Sequence, residues 1–169
     1  MKKISLLIIA ITTIASAQLR VGIDVSRQLS LSGLPAETAD GMGFTLGYEQ
    51  TLFSLVGLGA EYSAAGDEGI DMLYGYAVAK LPLGFPMLRG IARAGYSLPM
   101  GDAADYYDAG LAYGAGLRFK LPLFPIGLEA LYTMHNLEMK STGDDLGDLL
   151  ASLIKVKYNV MTLTATYSF

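Results

Sequence analysis

The sequence contains no cysteine, a single histidine and few charged residues. Without cysteine there is no disulfide framework, so backbone pairing and packing must hold the fold. Charged residues make up 17% of the chain, whereas about 25% is typical of a soluble domain. Beyond the N-terminal segment, no apolar run approaches the roughly 20 residues that a membrane-spanning helix needs. Composition therefore disfavours both a soluble domain and a helical membrane protein.

The N-terminal segment has the organisation of an export signal. Lys2 and Lys3 precede an apolar run over 4–14, which is followed by the small residues of an A-x-A cleavage pattern. This run is too short for an uncleaved transmembrane anchor. We therefore predict a signal peptide over 1–17 and one mature domain over 18–169. Loss of the two lysines leaves the mature chain with a formal charge of about −6, which argues against nucleic acid as a partner.

Apolar side chains alternate with small or polar ones in eight segments of the mature chain, as they do in β-strands with two different faces. These segments are 19–25, 42–48, 56–62, 74–78, 88–96, 111–119, 128–134 and 161–169. In the fourth segment, the pattern assigns Tyr74, Tyr76 and Val78 to the apolar outer face. The opposite faces carry glycine, alanine, serine and threonine with isolated charges, which suits the crowded inside of a narrow barrel. We predict an all-β fold, an eight-stranded antiparallel up-and-down transmembrane β-barrel.

The last strand carries the most specific pattern. Its apolar face consists of Met161, Leu163, Ala165, Tyr167 and Phe169. This ending resembles the C-terminal strand of bacterial outer-membrane β-barrel proteins, in which a terminal aromatic residue is part of the assembly signal. With the eight strands and the signal peptide, the chain is similar to the small barrels of the OmpA/OmpX type. Nothing follows Phe169, so no periplasmic peptidoglycan-binding domain is expected.

The resemblance implies a location and a set of partners. The expected location is the outer membrane of a Gram-negative-type bacterium. The expected partners are outer-membrane lipid, lipopolysaccharide and, during biogenesis, the barrel-assembly machinery, and the expected oligomeric state is a monomer. Short turns over 51–54, 82–86 and 122–125 would face the periplasm.

The longer connections, which would face the exterior, are rich in acidic residues. They cover 29–40, 65–71, 98–108 and 136–154. Their acids are Glu37, Asp40, Asp67, Glu68, Asp71, Asp102, Asp105, Asp108, Asp144, Asp145 and Asp148. We expect them to give the outer surface a negative potential. In the fourth loop, helical spacing of Leu146, Leu149, Leu150, Leu153 and Ile154 predicts a short amphipathic helix, with a poorly ordered loop as the alternative.

Charges of both signs are expected inside the barrel. The candidates for lumen ion pairs are Arg20, Asp24, Glu49, Glu61, Arg89, Arg93, Arg118 and Glu129. A tight turn over 122–125 would place Arg118 opposite Glu129 on the neighbouring strand. An unpaired charge in such a space would cost several kcal/mol. The balance of signs therefore favours a sealed lumen over an open pore.

Catalytic and ligand-binding motifs are weak. Alternation points His135 into the barrel, which favours a hydrogen-bonded structural histidine over the active-site histidine of a lipid-A-modifying hydrolase. The acidic loops lack calcium-loop spacing, and the glycine-rich strands lack the helix that follows a nucleotide-binding loop. We predict no enzyme activity, no cofactor and no metal. The predicted function is envelope integrity or surface interaction, with a narrow cation-preferring, porin-like channel and a lipid-A-modifying hydrolase as the alternatives.

Overall fold

The computed structural model describes residues 15–32, 35–39, 41–66, 69–140 and 154–169. In these residues the chain forms ten β-strands and one 3₁₀ helix, Gly101–Asp105. The strands are β1 Ala15–Leu31, β2 Glu37–Thr38, β3 Gly43–Leu52, β4 Val56–Ala64, β5 Met72–Pro82, β6 Leu88–Pro99, β7 Tyr107–Asp108, β8 Gly110–Lys120, β9 Ile126–Met139 and β10 Lys155–Ser168. No helix in this part of the chain is long and apolar enough to span a membrane.

The eight long strands form a closed antiparallel barrel. Each long strand pairs with the next one along the chain, and β10 pairs with both β9 and β1, which closes the sheet. The two-residue strands β2 and β7 lie in loops and extend β1 and β9 locally. The predicted eight-stranded up-and-down barrel is thus confirmed.

Burial alternates along the long strands, so that one face points to a filled lumen and the other to the surroundings. In β3, for example, Thr45 and Glu49 are buried while Phe44, Leu46 and Tyr48 are exposed. Leucine, valine and aromatic side chains dominate the outer face of the whole barrel. A soluble barrel would expose polar side chains on this face, which this one does not.

The predicted orientation of β5 is wrong. Tyr74, Tyr76 and Val78 point into the lumen and are buried, while Gly75 and Ala77 face outward. Tyr76 fits inside because the neighbouring strand β4 carries glycine at the position beside its ring. A Cβ atom on Gly59 would come within about 2.6 Å of the Tyr76 ring.

The two ends of the barrel differ in their connections. At the short-turn end, Phe53 and Ser54 form a two-residue turn, closed by a hydrogen bond from the Leu55 amide to the Leu52 carbonyl oxygen (3.0 Å). At the long-loop end, the strands extend further than the sequence predicted. Strand β1 continues to Leu31, where it pairs with β10, and β9 continues to Met139, where it pairs with β10 and β7.

Two predictions fall wholly or largely on residues outside the described part of the chain. One is the amphipathic helix of the fourth loop, of which only Ile154 is described. The other is the signal peptide over 1–17, of which 1–14 are not described. The last three residues of that segment lie in β1 and pair with β3. The boundary before Gln18 therefore stays a prediction.

Candidate functional site

Seven ionisable side chains meet inside the barrel, and each comes from a different long strand. We call them the ion network. Its members, in chain order from β1 to β9, are Arg20, Glu49, Glu61, Lys80, Arg93, Arg118 and Glu129. All seven lie on inward positions of the strand alternation, and all except the partly buried Glu61 are fully buried. Four cations thus meet three carboxylates.

Glu129 is the centre of one half of this network. Its carboxylate accepts a hydrogen bond of 2.6 Å from the Arg20 guanidinium. Arg93 and Arg118 approach the same carboxylate at 3.5 Å each. Arg118 lies directly opposite Glu129 in the β8–β9 register. One buried carboxylate is therefore shared by three guanidinium groups, which offset the cost of its desolvation.

Glu49 and Glu61 organise the other half. Lys80 forms a close ion pair with Glu49, and Arg20 and Arg93 each lie 3.6 Å from the same carboxylate. Arg93 also donates a hydrogen bond of 3.0 Å to Glu61. Its guanidinium carbon lies 4.3 Å from the centre of the Tyr76 ring, within the range of a cation–π contact.

Neutral side chains complete the network at the short-turn end. Gln18 accepts hydrogen bonds from Arg118 (2.6 Å) and Lys80 (3.0 Å). Arg118 also donates to the Thr166 hydroxyl of β10 at 3.1 Å. Since β10 contributes through Thr166, all eight long strands take part in the connected polar group. It extends across the whole cross-section of the lumen.

Six of the eight predicted lumen residues belong to the ion network, and two do not. Asp24 accepts hydrogen bonds from the hydroxyls of Thr162 (2.9 Å) and Thr45 (3.3 Å). Arg89 donates to the backbone carbonyl oxygen of Ser54 at 2.6 Å. Lys80 was missed. Lys80 lies on the same face of β5 as Tyr74, Tyr76 and Val78. Because the sequence pattern assigned that face to lipid, the inward position of Lys80 was not recognised.

Beyond the ion network, towards the long loops, most buried side chains are apolar, although Asp24, Arg27 and His135 are also buried there. His135 points inward as predicted, is buried, and its Nδ1 lies 2.6 Å from the Ser97 hydroxyl. Its ring also meets Tyr74 edge to face, with 5.5 Å between ring centres. Further on lies a cluster of buried side chains, which we call the apolar cluster: Ile70, Met72, Leu137, Val156, Tyr158 and Val160.

Solved structures contain the same barrel at low sequence identity. Neisserial surface protein A (NspA) matches with a TM-score of 0.59 and 10% identity, over 92% of this chain and 97% of that one. The N-terminal β-barrel domain of Pseudomonas aeruginosa OprF matches with a TM-score of 0.52 and 13% identity, over 90% and 99%. The chain has the fold of the small eight-stranded outer-membrane barrels.

Ail, the attachment invasion locus protein of Yersinia pestis, matches this chain at 21% identity with a TM-score of 0.49, over 92% of this chain and 99% of that one. No protein-family model and no curated protein sequence matches the chain. Because the identities are low, the likenesses to NspA and OprF establish the fold of the barrel alone.

In the C-terminal strand β10, the apolar face predicted from the sequence points outward. Met161, Leu163, Tyr167 and Phe169 are exposed on the outer face, and the intervening threonines face the lumen. Within the described ranges, no group of histidine, aspartate and glutamate side chains has the geometry to hold a metal ion. The ion network is therefore the main concentration of polar chemistry that the described residues offer.

Proposed function

We propose that the chain is an integral protein of the bacterial outer membrane with a closed lumen, which acts in envelope integrity or surface interaction without catalysing a reaction. The barrel fold and its apolar outer face support the location. In this placement the short-turn end faces the periplasm and the long-loop end faces the exterior. We include in the proposal export through a signal peptide over 1–17, assembly through the C-terminal strand and a monomeric state in lipid and lipopolysaccharide.

One observation supports the proposal that the lumen is closed. The connected polar group draws on all eight long strands, and its charged members are almost completely buried. An ion that crosses the barrel would have to separate several buried pairs at once, and leaving one partner uncompensated is costly. The apolar cluster then presents a second obstacle, because its side chains other than Tyr158, which interacts with the buried Arg27, offer a permeating ion no polar group.

The two alternative functions have less support. A narrow channel would have to pass a network with four cations and three carboxylates, so its excess positive charge would favour anions over the cations that we expected from sequence. A lipid-A hydrolase would need its histidine beside lipid. His135 instead lies inside the barrel, buried and hydrogen-bonded to Ser97.

The loop surface supports an interaction role, although its acids are not all available for ligands. Asp71 accepts hydrogen bonds from the Tyr62 hydroxyl (2.9 Å) and the Ala65 amide (2.8 Å), so it organises the second loop. Asp102, Asp105 and Glu37 are exposed. A cationic partner, or divalent ions that bridge lipopolysaccharide phosphates, fits this negative surface.

Conductance across a planar bilayer tests the closed lumen. The wild-type barrel should show no sustained conductance, whereas Arg20→Ala should show intermittent openings because it removes a guanidinium that contacts all three network carboxylates. Steady conductance of the wild type would refute the closed lumen. Unmodified lipid A in expressing cells, measured by mass spectrometry, is the expected result for a non-enzymatic barrel, and a lost acyl chain would refute it.

A further inference from the structure

The three turns at the short-turn end are uncharged and strongly apolar. They comprise 53–55, 83–87 and 121–125, and not one of their residues is ionisable. Each turn has an exposed phenylalanine at its tip, Phe53, Phe85 or Phe124, and Leu123 is 92% exposed. Turns in water usually carry polar side chains. A set of apolar tips on one end of a barrel marks a surface that contacts something other than water.

These tips continue the lipid-facing surface of the barrel. The outward residues that flank the turns are also exposed apolar side chains, as Leu52, Leu81, Phe119 and Ile126 show. The apolar surface therefore runs from the barrel wall onto the end without an intervening charged girdle. At the opposite end, acidic residues such as Asp102 and Asp105 follow the strands. The short-turn end is thus the one suited to lie within a leaflet.

Cations lie just inside the apolar tips. Arg89 is directly opposite Arg118 in the β6–β8 register, and Lys120 follows two residues after Arg118 on the same face. Like charges at directly opposite positions are unfavourable. Arg118 is neutralised by the Glu129 carboxylate. Among the residues that the structure describes, no salt bridge joins a carboxylate to Arg89 or Lys120, and both are only partly buried.

The first turn has an unusual backbone conformation. Phe53 and Ser54 have φ angles of 51° and 54°, in the left-handed region that usually requires glycine. Strain of this kind persists only where the surroundings impose it, and it concentrates at functional positions. Here the Arg89 guanidinium crosses the mouth of the barrel and donates to the Ser54 carbonyl oxygen. The same cation therefore lies at the mouth and secures the turn that exposes Phe53.

We propose that this end of the barrel is a docking surface for anionic phospholipid of the adjoining leaflet. We call it the turn rim and define it by Phe53, Arg89, Phe85, Lys120, Leu123 and Phe124. The phenylalanines and Leu123 lie among the upper acyl chains, while Arg89 and Lys120 place positive charge beside the lipid phosphate, as basic pockets on membrane proteins do. The inference rests on the proposed membrane placement and adds a lipid preference confined to one leaflet.

The depth of the tips can be measured because the chain has no tryptophan. Phe85→Trp supplies a single fluorophore at the turn rim, and Tyr106→Trp supplies the matched control among the exposed long-loop residues. In nanodiscs, whose two faces are both accessible, lipids brominated near the headgroup should quench the tryptophan at position 85, and iodide in the water should not. The control should show the reverse. Quenching of position 85 by iodide alone would overturn the docking surface.

Lipid preference is tested by native mass spectrometry after extraction from nanodiscs of phosphatidylcholine and phosphatidylglycerol. The wild type should retain phosphatidylglycerol several-fold above its share, and Arg89→Gln with Lys120→Gln should lose that enrichment. The control pair Lys155→Gln with Lys157→Gln removes two exposed lysines at the other end and should keep it. Equal retention by all three proteins would overturn the proposal, as would loss of phosphatidylglycerol on addition of inorganic phosphate.

Folding is checked for every variant by heat-dependent migration in gels. Should the double variant fail to fold, Lys120→Gln alone, at the end of β8, keeps the test available and should lose about half of the enrichment. The conductance experiment separates the two proposals. A conducting wild type that retains phosphatidylglycerol would refute only the closed lumen, and a closed barrel without lipid preference would refute only the docking surface.

Discussion

The lumen of this barrel is filled mainly by ion pairs in its short-turn half and mainly by apolar side chains, with the buried Arg27 among them, in its long-loop half. In the first half each carboxylate is shared by two or three cations, so the fit depends on partners held at fixed positions. In the second half the side chains of the apolar cluster pack without such pairing. One narrow space is thus closed in two ways, which should differ in their response to mutation.

Removal of one network carboxylate should give the largest effect. Glu129→Gln leaves three guanidinium groups without their shared anion, and breaking a buried pair typically costs about 3–5 kcal/mol. The free energy of unfolding, from urea titrations of the refolded barrel, measures this loss. Glu138→Gln changes an exposed glutamate on the same strand and should have little effect. Similar losses in both variants would mean that burial of the charge is unimportant.

A cavity in the apolar half should cost somewhat less. Leu137→Ala removes a fully buried side chain from the apolar cluster, and such substitutions cost about 2–5 kcal/mol according to how far the site relaxes. The same urea titration applies. Because no charge is exposed, the loss should not change with salt concentration, whereas the loss in Glu129→Gln should. Equal salt dependence in the two variants would contradict the division of the lumen into two kinds of filling.

The pairs within the ion network should differ in strength. In double-mutant cycles, contacting residues couple by about 0.5–3 kcal/mol, and the shorter contact should couple more strongly. Arg20 and Glu129 are 2.6 Å apart, whereas Arg118 and Glu129 are 3.5 Å apart. We therefore expect the cycle with Arg20 to give the larger interaction energy. Purely additive effects in the Arg118 cycle would show that the cross-strand pair contributes no energy of its own.

The smallest effect is expected at the first turn and has the opposite sign. Phe53→Gly should stabilise the barrel in detergent by about 1 kcal/mol, because glycine accepts a positive φ without strain. Urea midpoints in detergent measure the gain. Phe85→Gly is the control, since the positive φ of that turn is already at Gly84. A gain in the control as large as that at position 53 would point to detergent contacts rather than to relief of strain.

The fold could be predicted from sequence because alternation, the small residues of one face and the C-terminal strand all indicate the same barrel. The faces of seven strands followed from where the bulky apolar residues lie. Strand β5 broke this rule because Tyr76 fills space left by Gly59 on the neighbouring strand. That space is a property of neighbouring strands, so the sequence of β5 alone does not reveal it.

The ion network was predictable in part. Charges on inward positions could be identified, and a tight turn sufficed to place Arg118 opposite Glu129. Which acids share which bases depends on contacts across the lumen, such as Arg20 to Glu129 over 109 positions of sequence. Lys80 lies on the same face of β5 as the aromatic residues. A charged residue on that face was the sign in the sequence that the face points into the lumen rather than outward.

The seam between β1 and β10 has a consequence for how the barrel closes. The inward residues that β10 brings to this half of the lumen are Thr162, Thr164, Thr166 and Ser168, so every ionic member of the network lies on β1 to β9. The last strand of the chain therefore joins the first without carrying a charge out of water. The ionic members of the network all lie on β1 to β9, so β10 adds only hydroxyl groups to it. Backbone pairing of β10 with β1 and β9 is therefore the main requirement for closing the barrel.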